Sequence, residues 1–177
     1  MKTILDYPEQ VVQSPGTDHI MWIFDGSFKL IDNFAPTPVI VDIGHGLIHY
    51  QTSEHAFAAA KASTLQGHDR IAAQNSPGAA KSAGRACLIR PDWEDVKWDV
   101  MWRVLLAKFD QNPEALAVLK ATGQRLIYEG NYWDDRQWGV TQATKRFDGY
   151  YPSPKTTWIG RNGLGQMLME IRQQKFG

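Results

Sequence analysis

Helix start and stop signals constrain the fold of this chain more than any other feature of its sequence. Residues that cap helix N-termini, or prolines that suit a first helical turn, alternate with glycines that follow helix C-termini. They predict helices at about residues 52–66, 76–84, 93–110, 112–122 and 164–174. In the last of these, the spacing of Leu164, Leu168 and Ile171 predicts one inward face.

Each helix between residues 52 and 123 has a residue that explains its boundary. The N-terminal signals are Thr52 or Ser53, Ser76 followed by Pro77, Asp92, and Asn112 followed by Pro113. The glycines that follow or end helices are Gly67, Gly84 and Gly123. A polar cap accepts hydrogen bonds from backbone N–H groups that have no partner within the helix, so these signals have a physical basis.

Short apolar runs predict a small β component. They lie at residues 20–24, 38–43, 47–50 and 126–128, and the second and third would form a hairpin with a turn at His45-Gly46. Residues 1–18 are expected to form a loose N-terminal segment, with a break at Ser14-Pro15-Gly16. The prediction is therefore an α+β fold, a single compact and mostly helical domain over residues 1–177 with a small β-sheet.

Composition excludes several classes of protein. A chain of 177 residues fits one domain with a sizeable core, and no apolar run approaches the ~20 residues of a membrane helix. Cys87 is the single cysteine, so no internal disulfide can form, and a reducing cytoplasm is the expected location. The net charge of zero argues against broad electrostatic binding to nucleic acid, but not against a pocket for one modified nucleotide.

Glu54 and Lys61 stand seven residues apart within the first predicted helix. Seven residues is almost two helical turns, which predicts that both side chains lie on one helix face with Phe57 between them. Turning an acid and an amine inward costs stability, so a buried polar pocket is expected. Because Glu54 lies in the first turn, the helix dipole should favour its ionised form.

A set of short motifs recurs in a fixed order from about residue 24 to residue 172. They are Leu30-Ile31-Asp32-Asn33-Phe34, Ser53-Glu54-His55-Ala56-Phe57, Ala80-Lys81 with Gly84-Arg85, Trp93, Ala107-Lys108-Phe109, Ala121-Thr122-Gly123, Asp135 with Trp138-Gly139, and Gly160 with Asn162, Leu164-Gly165 and Leu168-Met169. This order resembles the YbiA-like or NADAR family. The resemblance implies a helix-rich enzyme that hydrolyses an N-glycosidic bond, without a cofactor. The substrates associated with the family are ADP-ribose attached to guanine and phosphoribosylamino-pyrimidine intermediates of riboflavin synthesis.

The resemblance also implies which residues form the site. The catalytic group would be Glu54, Asp135 and Lys61. The substrate-binding group would be Asn33, Phe34, Lys81, Arg85, Trp93, Trp138, Gly139 and Asn162. No metal ligands are expected, because His45 and His49 lie in a hairpin and the lone cysteine supplies no partner set for zinc.

The chemistry of N-glycoside cleavage explains two carboxylates. The reaction passes through an oxocarbenium-like state that a carboxylate stabilises, and the leaving amine needs a proton. Structural alternatives stay open for these residues. In them, Glu54 stabilises a helix end, Asp135 caps a turn, and Lys81 and Arg85 lie at a solvated helix end. Lys61 has three alternatives, namely an exposed lysine, a contact to phosphate or sugar, and an amine that forms a Schiff base with an opened ribosylamine.

The chain departs from the family pattern at three places. Asp32 stands where serine is common, and Gly163 stands where an arginine or similar residue is usual, with Arg161 as its possible replacement. Residues 149–158 form an additional loop that would act as a lid, a specificity loop or a neutral insertion.

The favoured reading is removal of ADP-ribose from guanine bases of nucleic acid. The alternative enzyme reading is cleavage of a phosphoribosylamino-pyrimidine, and the alternative of another class is a non-catalytic module that binds ADP-ribose or NAD derivatives. A binding module would gain nothing from two carboxylates against an anionic ligand. The expected partner is therefore a small nucleotide-like substrate or ADP-ribosylated nucleic acid, with no membrane.

Overall fold

The computed structural model describes residues 1–13, 19–21, 26–142 and 157–177 of the chain. The strands are β1 (Gln10–Gln13), β2 (His19–Met21), β3 (Val39–Asp42), β4 (Leu47–Tyr50), β5 (Leu126–Tyr128), β6 (Gly130–Asn131), β7 (Val140–Gln142) and β8 (Thr157–Gly160). The helices are α1 (Ser53–Ala59), α2 (Leu65–Ala72), α3 (Pro77–Ala86), α4 (Trp93–Gln111), α5 (Pro113–Ala121) and α6 (Gly163–Phe176). The predicted α+β, mostly helical class is confirmed.

The chain forms two compact units. The first, here called unit 1, contains Met1–Thr3 and Leu30–Ala117, and unit 2 contains Ile4–Lys29 and Val118–Gly177. The division falls inside α5. The prediction of one domain over residues 1–177 stays a prediction.

Unit 1 is built around α1, all seven residues of which are buried. The helix contacts α2, α3 and α4, and the antiparallel hairpin of β3 and β4 packs against α4. Apolar side chains from several elements form the core: Val39, Ile71, Val100, Val104, Leu105 and Phe109 are each fully buried. A helix that is buried on every side has no solvent-facing side for its polar residues. Because burying polar groups costs free energy, these residues are expected to make specific contacts inside the unit.

Unit 2 contains a four-stranded sheet in the order β1-β8-β7-β6. The pair β1 and β8 is antiparallel, as is β7 with β8, while β6 and β7 run parallel. Val12, Tyr128, Val140 and Trp158 form a buried cluster. The inward face predicted for α6 is confirmed, since Leu164, Leu168 and Ile171 are buried.

The first helix is shorter than predicted. The helix α1 ends at Ala59, and Lys61 lies in the turn that follows, so the prediction of Glu54 and Lys61 on one continuous helix is wrong. Thr64 begins α2 as a separate helix, because its hydroxyl accepts the N–H of Gly67. The signal was present in the sequence as Ser63-Thr64 ahead of Leu65, a cap within the predicted run.

Two glycines that were predicted to follow or end helices, Gly67 and Gly84, instead lie inside α2 and α3. Gly84 lies inside α3, which continues to Ala86, and a Cβ there would be 3.0 Å from the carbonyl oxygen of Ala58. Because Gly84 has no side chain, α3 can approach α1 closely at this position. The predicted start of α4 after Asp92 is confirmed, but the Asp92 side chain makes no cap bond, because its carboxylate accepts the Nε–H and Nη2–H of Arg90 at 2.6 and 2.8 Å.

The β component was only partly predicted. The hairpin of β3 and β4, the strand β5 and the start of α3 at Ser76-Pro77 are confirmed. The expectation of a loose N-terminal segment is wrong for Gln10–Gln13, which pair with β8. Of the strand predicted at residues 20–24, residues 20 and 21 belong to β2, and 22–24 lie outside the described residues. Of the loop predicted at residues 149–158, residues 149–156 also lie outside them, and the loop is wrong for Thr157 and Trp158, which belong to β8. No helix in the described part of the chain is long and apolar enough to cross a membrane.

Candidate active site

Glu54 lies in the first turn of α1 and is almost fully buried, with 6% of its surface exposed. Thr52 begins the helix, because its hydroxyl accepts the N–H of His55 at 3.3 Å. The N–H of Glu54 donates to the carbonyl oxygen of Asn33 at 3.0 Å. Helix capping and this backbone contact hold a carboxylate where an apolar side chain would be more stable.

Burial controls the acidity of Glu54. Loss of water raises the pKa of its carboxyl from 4.5 to about 7, against the opposing positive charges of Lys81, Lys61 and Arg85. The negative charge of Asp32 adds to the increase. Burial therefore opposes the ionised form that the helix dipole was expected to favour, and both protonation states are populated at neutral pH. A group that exchanges a proton near pH 7 is suited to general acid–base chemistry.

Lys61 lies close to Glu54 although it is outside α1. Its ammonium is 5.3 Å from the centroid of the Phe57 ring and 5.9 Å from that of Trp93. Burial lowers the pKa of the Lys61 amine, the charge of Glu54 raises it, and the charges of Arg85 and Lys81 lower it further. The Phe57 ring is thus next to the amine, and its predicted position between the acid and the amine stays a prediction.

Aromatic rings line the same site. Phe57 and Trp93 are buried, with ring centroids 5.1 Å apart and planes tilted by 56°. Phe34 is 40% exposed, and the Lys81 ammonium lies 5.4 Å from its ring centroid. The site thus combines a buried carboxylate, three cations and three aromatic side chains, all within unit 1. We refer to Glu54, Lys61, Lys81, Arg85, Phe34, Phe57 and Trp93 as the Glu54 site.

Asn33 lies beneath this group rather than in solvent. Its side-chain amide donates to the sulfur of Met101 at 3.4 Å, and its side-chain oxygen is buried without a hydrogen-bond partner in the described residues. Its backbone oxygen accepts the N–H of Glu54. The structure therefore gives Asn33 a definite role in holding α1, and its predicted contact with the substrate base stays a prediction.

Asp135, Trp138 and Gly139 belong to unit 2. The carboxylate of Asp135 accepts the N–H groups of Gln137 and Trp138 at 3.1 and 2.9 Å. A Cβ on Gly139 would lie 2.3 Å from the carbonyl oxygen of Glu129, so only glycine fits. These contacts are those of a capped turn, and the predicted catalytic and binding roles stay predictions.

Asn162 is fully buried and has a left-handed backbone with φ of 52°. Its side-chain oxygen accepts the N–H of Glu129 at 2.9 Å, and its amide donates to the carbonyl oxygen of Ile127 at 2.8 Å. Both polar atoms of this side chain therefore bind the backbone ahead of β6. Substrate binding by Asn162 stays a prediction.

The comparison with known families decides what kind of protein this is. A model described as the NADAR domain matches residues 24–174. The chain belongs to the NADAR family.

Relatives of this NADAR chain include proteins named as enzymes. N-glycosidase YbiA of Escherichia coli strain K12 is 36% identical over 144 residues, covering 80% of this chain and 78% of that protein. N-glycosidase R617 of Acanthamoeba polyphaga mimivirus is 32% identical over 82 residues, 46% of each chain. The riboflavin biosynthesis protein PYRR, chloroplastic, of Zea mays is 28% identical over 169 residues, covering 88% of this chain and 24% of that protein.

The fold of this NADAR chain agrees with a solved relative. The NMR structure of E. coli YbiA matches it with a TM-score of 0.68 at 32% identity, covering 93% of this chain and 89% of the other.

Lys108 is a buried charged residue that was not among the predicted site residues. The apolar stripe of α4 on which it lies is typical of a core face from which lysines extend to solvent, but its side chain is fully buried and its ammonium donates to the carbonyl oxygen of Asp32 at 2.5 Å. Its spacing, four residues after Val104, places Lys108 on the inward stripe of α4, but this spacing does not distinguish a buried ammonium from one that extends to solvent.

Proposed function

We propose that this N-glycosyl hydrolase removes ADP-ribose from guanine bases of nucleic acid. The observation that supports the proposal is the buried Glu54 carboxyl, whose pKa of about 7 leaves it able to gain or lose a proton at neutral pH. Named relatives that are N-glycosidases support the reaction class.

The proposed reaction breaks the bond between the ribose anomeric carbon and the base nitrogen. Both bonding electrons leave with the nitrogen, which takes up a proton, and positive charge develops on the sugar. The ionised Glu54 carboxylate stabilises that charge, and a water molecule then adds to the anomeric carbon with loss of its own proton. Asp135 is proposed as the second proton-transfer group, because acid and base steps require groups in different environments.

Cations of the site fit the charged part of the substrate. Lys81 and Arg85 are four residues apart on α3, which places them on one helix face, and Lys61 adds a third positive charge near Glu54. A diphosphate carries negative charge that such a group neutralises, and the guanidinium of arginine pairs with two phosphate oxygens at once. ADP-ribose contains a diphosphate, so three cations around one carboxylate suit it.

Aromatic residues of the site fit the heterocycles. Phe34 is exposed enough to stack on a base, and the Phe57–Trp93 pair provides a rigid apolar wall beneath Lys61. Trp138 and Asn33 are proposed to complete the base contacts. No metal is assigned a role.

A second candidate substrate is a phosphoribosylamino-pyrimidine. The PYRR relative of Zea mays, which is named for riboflavin biosynthesis, supports it. Its single phosphate and pyrimidine would use the same carboxylate with fewer cation contacts.

One experiment separates the candidates. Purified protein is incubated with an oligonucleotide that carries ADP-ribosyl guanine and, separately, with the phosphoribosylamino-pyrimidine, and both are followed by mass spectrometry. We expect free ADP-ribose and an unmodified guanine oligonucleotide, with no release by Glu54→Gln. Exclusive cleavage of the pyrimidine substrate would reject the guanine proposal, and binding of both without release would make the chain a binding module.

A further inference from the structure

Lys108 is a buried ammonium that the proposed chemistry does not use. Its side chain is fully buried in α4, next to the ring of Phe109, and its Nζ donates to the carbonyl oxygen of Asp32. Burying an ammonium costs free energy that a methionine of similar length would not cost. The cost implies that the hydrogen bond to Asp32 has a use beyond filling the core.

That hydrogen bond holds one specific turn. The carbonyl oxygen of Asp32 also accepts the N–H of Ala35 at 3.1 Å, and the carboxylate of Asp32 accepts the N–H of Phe34 at 2.8 Å. Residues 32–35, which we call the Asn33 turn, therefore have their backbone fixed at both ends, and Lys108 fixes the turn from α4.

The Asn33 turn in turn holds the catalytic helix. The carbonyl oxygen of Asn33 accepts the N–H of Glu54, the residue whose carboxylate carries the proposed reaction. The same turn presents Phe34, whose ring lies 5.4 Å from the Lys81 ammonium. The Lys108 ammonium is thus connected to the first turn of α1 through its own hydrogen bond to Asp32 and the backbone hydrogen bond between Glu54 and Asn33, and the same turn carries the Phe34 ring.

We propose that Lys108 is a positioning residue for this enzyme: its ammonium fixes the Asn33 turn, and the turn fixes the place of the Glu54 carboxylate. The kinetic part of this proposal rests on the proposed function. Lys108 does not contact the substrate, so it acts on turnover through Asn33 and Glu54.

The helix α4 contains a matched control. Lys97 is also buried, with 7% of its surface exposed, but its ammonium pairs with Glu94 three residues earlier in the same helix. Lys97→Met and Lys108→Met therefore remove the same group from the same helix, and differ in whether the Asn33 turn loses a donor.

Burial lowers the pKa of Lys108 to about 7, with Asp32 opposing the change. An amine whose pKa is lower in the folded state destabilises the fold below that pKa, and the penalty fades as pH rises towards 10.5. Lys108→Met is therefore expected to melt at the same temperature or higher at pH 6, so a loss of activity would not follow from unfolding.

The test combines kinetics with backbone hydrogen exchange. We expect Lys108→Met to lower kcat by about 10²-fold, the order expected when reacting groups move by roughly 1 Å. KM should change less than kcat, because Lys81 and Arg85 on α3 still hold the phosphates although Asn33 and Phe34 lie in the released turn. The amides of Ala35 and Glu54 should exchange faster, while Lys97→Met should match the wild type in kcat and at both amides.

Each other outcome has a defined meaning. Wild-type kcat and wild-type exchange in Lys108→Met would overturn the proposal, as would equal losses in Lys97→Met. If Lys108→Met does not fold, Lys108→Gln is measured in the same way, and failure of both to fold would make Lys108 a folding residue and reject a positioning role. If the wild type cleaves neither candidate substrate, the proposed function fails, and the amide exchange still decides whether Lys108 fixes the turn.

Discussion

At the scale of single residues, solvent exclusion determines the acidity of Glu54 more than the helix terminus does. A first-turn position favours the ionised carboxylate by roughly 0.3–1 kcal/mol at exposed sites. A pKa raised from 4.5 to about 7 corresponds to roughly 3 kcal/mol in the opposite direction. Burial therefore outweighs both the helix dipole and three nearby cations, and the position of Glu54 in the sequence does not indicate this burial.

Glu54→Gln should separate catalysis from stability. We expect kcat to fall by roughly 10²–10⁴, because the charge that stabilises the sugar cation and the exchangeable proton are both lost. Because the pKa of Glu54 is higher in the folded state than in the unfolded state, its protonated carboxyl favours the fold. This contribution is complete below pH 4.5 and is lost as the pH rises to about 7. The melting temperature of Glu54→Gln at pH 8 should thus equal or exceed that of the wild type.

Glu114 provides the control for this variant. It is an exposed acid in the first turn of α5, so Glu114→Gln removes a helix-end carboxylate without touching the Glu54 site. It should lower the melting temperature slightly and leave kcat unchanged. If Glu54→Gln behaves like Glu114→Gln, Glu54 is a helix-end stabiliser and the proposed mechanism is wrong.

The pH dependence of turnover should report the charges around Glu54. If the ionised form is required, kcat rises with pH with an apparent pKa of about 7. Lys81 is the strongest of the cations that lower this pKa, so Lys81→Met should move the rising limb to higher pH. Lys97→Met should leave it in place, and a limb that stays fixed in Lys81→Met would assign the titration to another group.

Asp135 needs two variants, because its carboxylate caps a turn. Asp135→Asn keeps an oxygen that can accept the N–H groups of Gln137 and Trp138, whereas Asp135→Ala removes it. We expect Asp135→Asn to fold normally with kcat lowered by roughly 10²–10⁴, and Asp135→Ala to lose stability by about 1 kcal/mol as well. Wild-type kcat in Asp135→Asn would leave Asp135 as a turn cap.

At the scale of helices and strands, local signals predicted the elements that contain their own boundaries. The hairpin of β3 and β4, the start of α3 and the glycine after α5 follow from turn and cap residues in the sequence. The strands β1, β7 and β8 could not be found this way. The pairing of β1 with β8 joins residues 10–13 with residues 157–160, and no local pattern encodes a partner about 150 residues away.

Lys108 shows the same limit for the site. A lysine on an apolar stripe has the same sequence signature whether its ammonium extends to solvent or bonds inside the core. What decides is a carbonyl oxygen 76 residues away, at Asp32. In contrast, Glu54, Lys61 and Trp93 were predicted to share one site, and the structure brings them together because they lie on neighbouring elements of unit 1.

Gly84 gives an element-scale prediction about the packing of α3. A Cβ there would lie 3.0 Å from the backbone oxygen and 3.1 Å from the Cβ of Ala58, so Gly84→Ala should force α3 away from α1. We expect a loss of about 1–3 kcal/mol in the free energy of unfolding. KM should rise more than kcat falls, because α3 carries Lys81 and Arg85.

Gly78 is the matched control in the same helix. Nothing lies within 4 Å of the Cβ that Gly78→Ala would add, so this change should raise stability by about 0.4–1 kcal/mol. Chemical denaturation of both variants measures the two effects. A stabilising Gly84→Ala would mean that α3 moves at no cost and that close helix approach does not set the site.

At the scale of the whole molecule, the net charge of the chain differs from the local charge of the Glu54 site. The chain is neutral overall, with 19 basic and 19 acidic residues, yet three cations converge on a single buried carboxylate. The net charge of the chain therefore does not predict the charge of the site that is proposed to bind the substrate. The local excess of positive charge suits a small anionic ligand, whereas a duplex reader needs an extended basic surface.

Turnover is expected to require no metal ion. Among the residues that the structure describes, no group of three or more His, Cys, Asp or Glu side chains could hold a metal ion. In the proposed reaction Glu54 stabilises the positive charge on the sugar, and the surrounding lysines and arginine neutralise the diphosphate. Turnover should therefore persist after exhaustive treatment with EDTA, measured as ADP-ribose release under otherwise identical conditions. The matched reaction receives EDTA together with excess magnesium, then zinc. Loss of turnover in EDTA that either metal restores would show that an ion takes part, and the carboxylate would then have to be reassigned as a ligand or its neighbour.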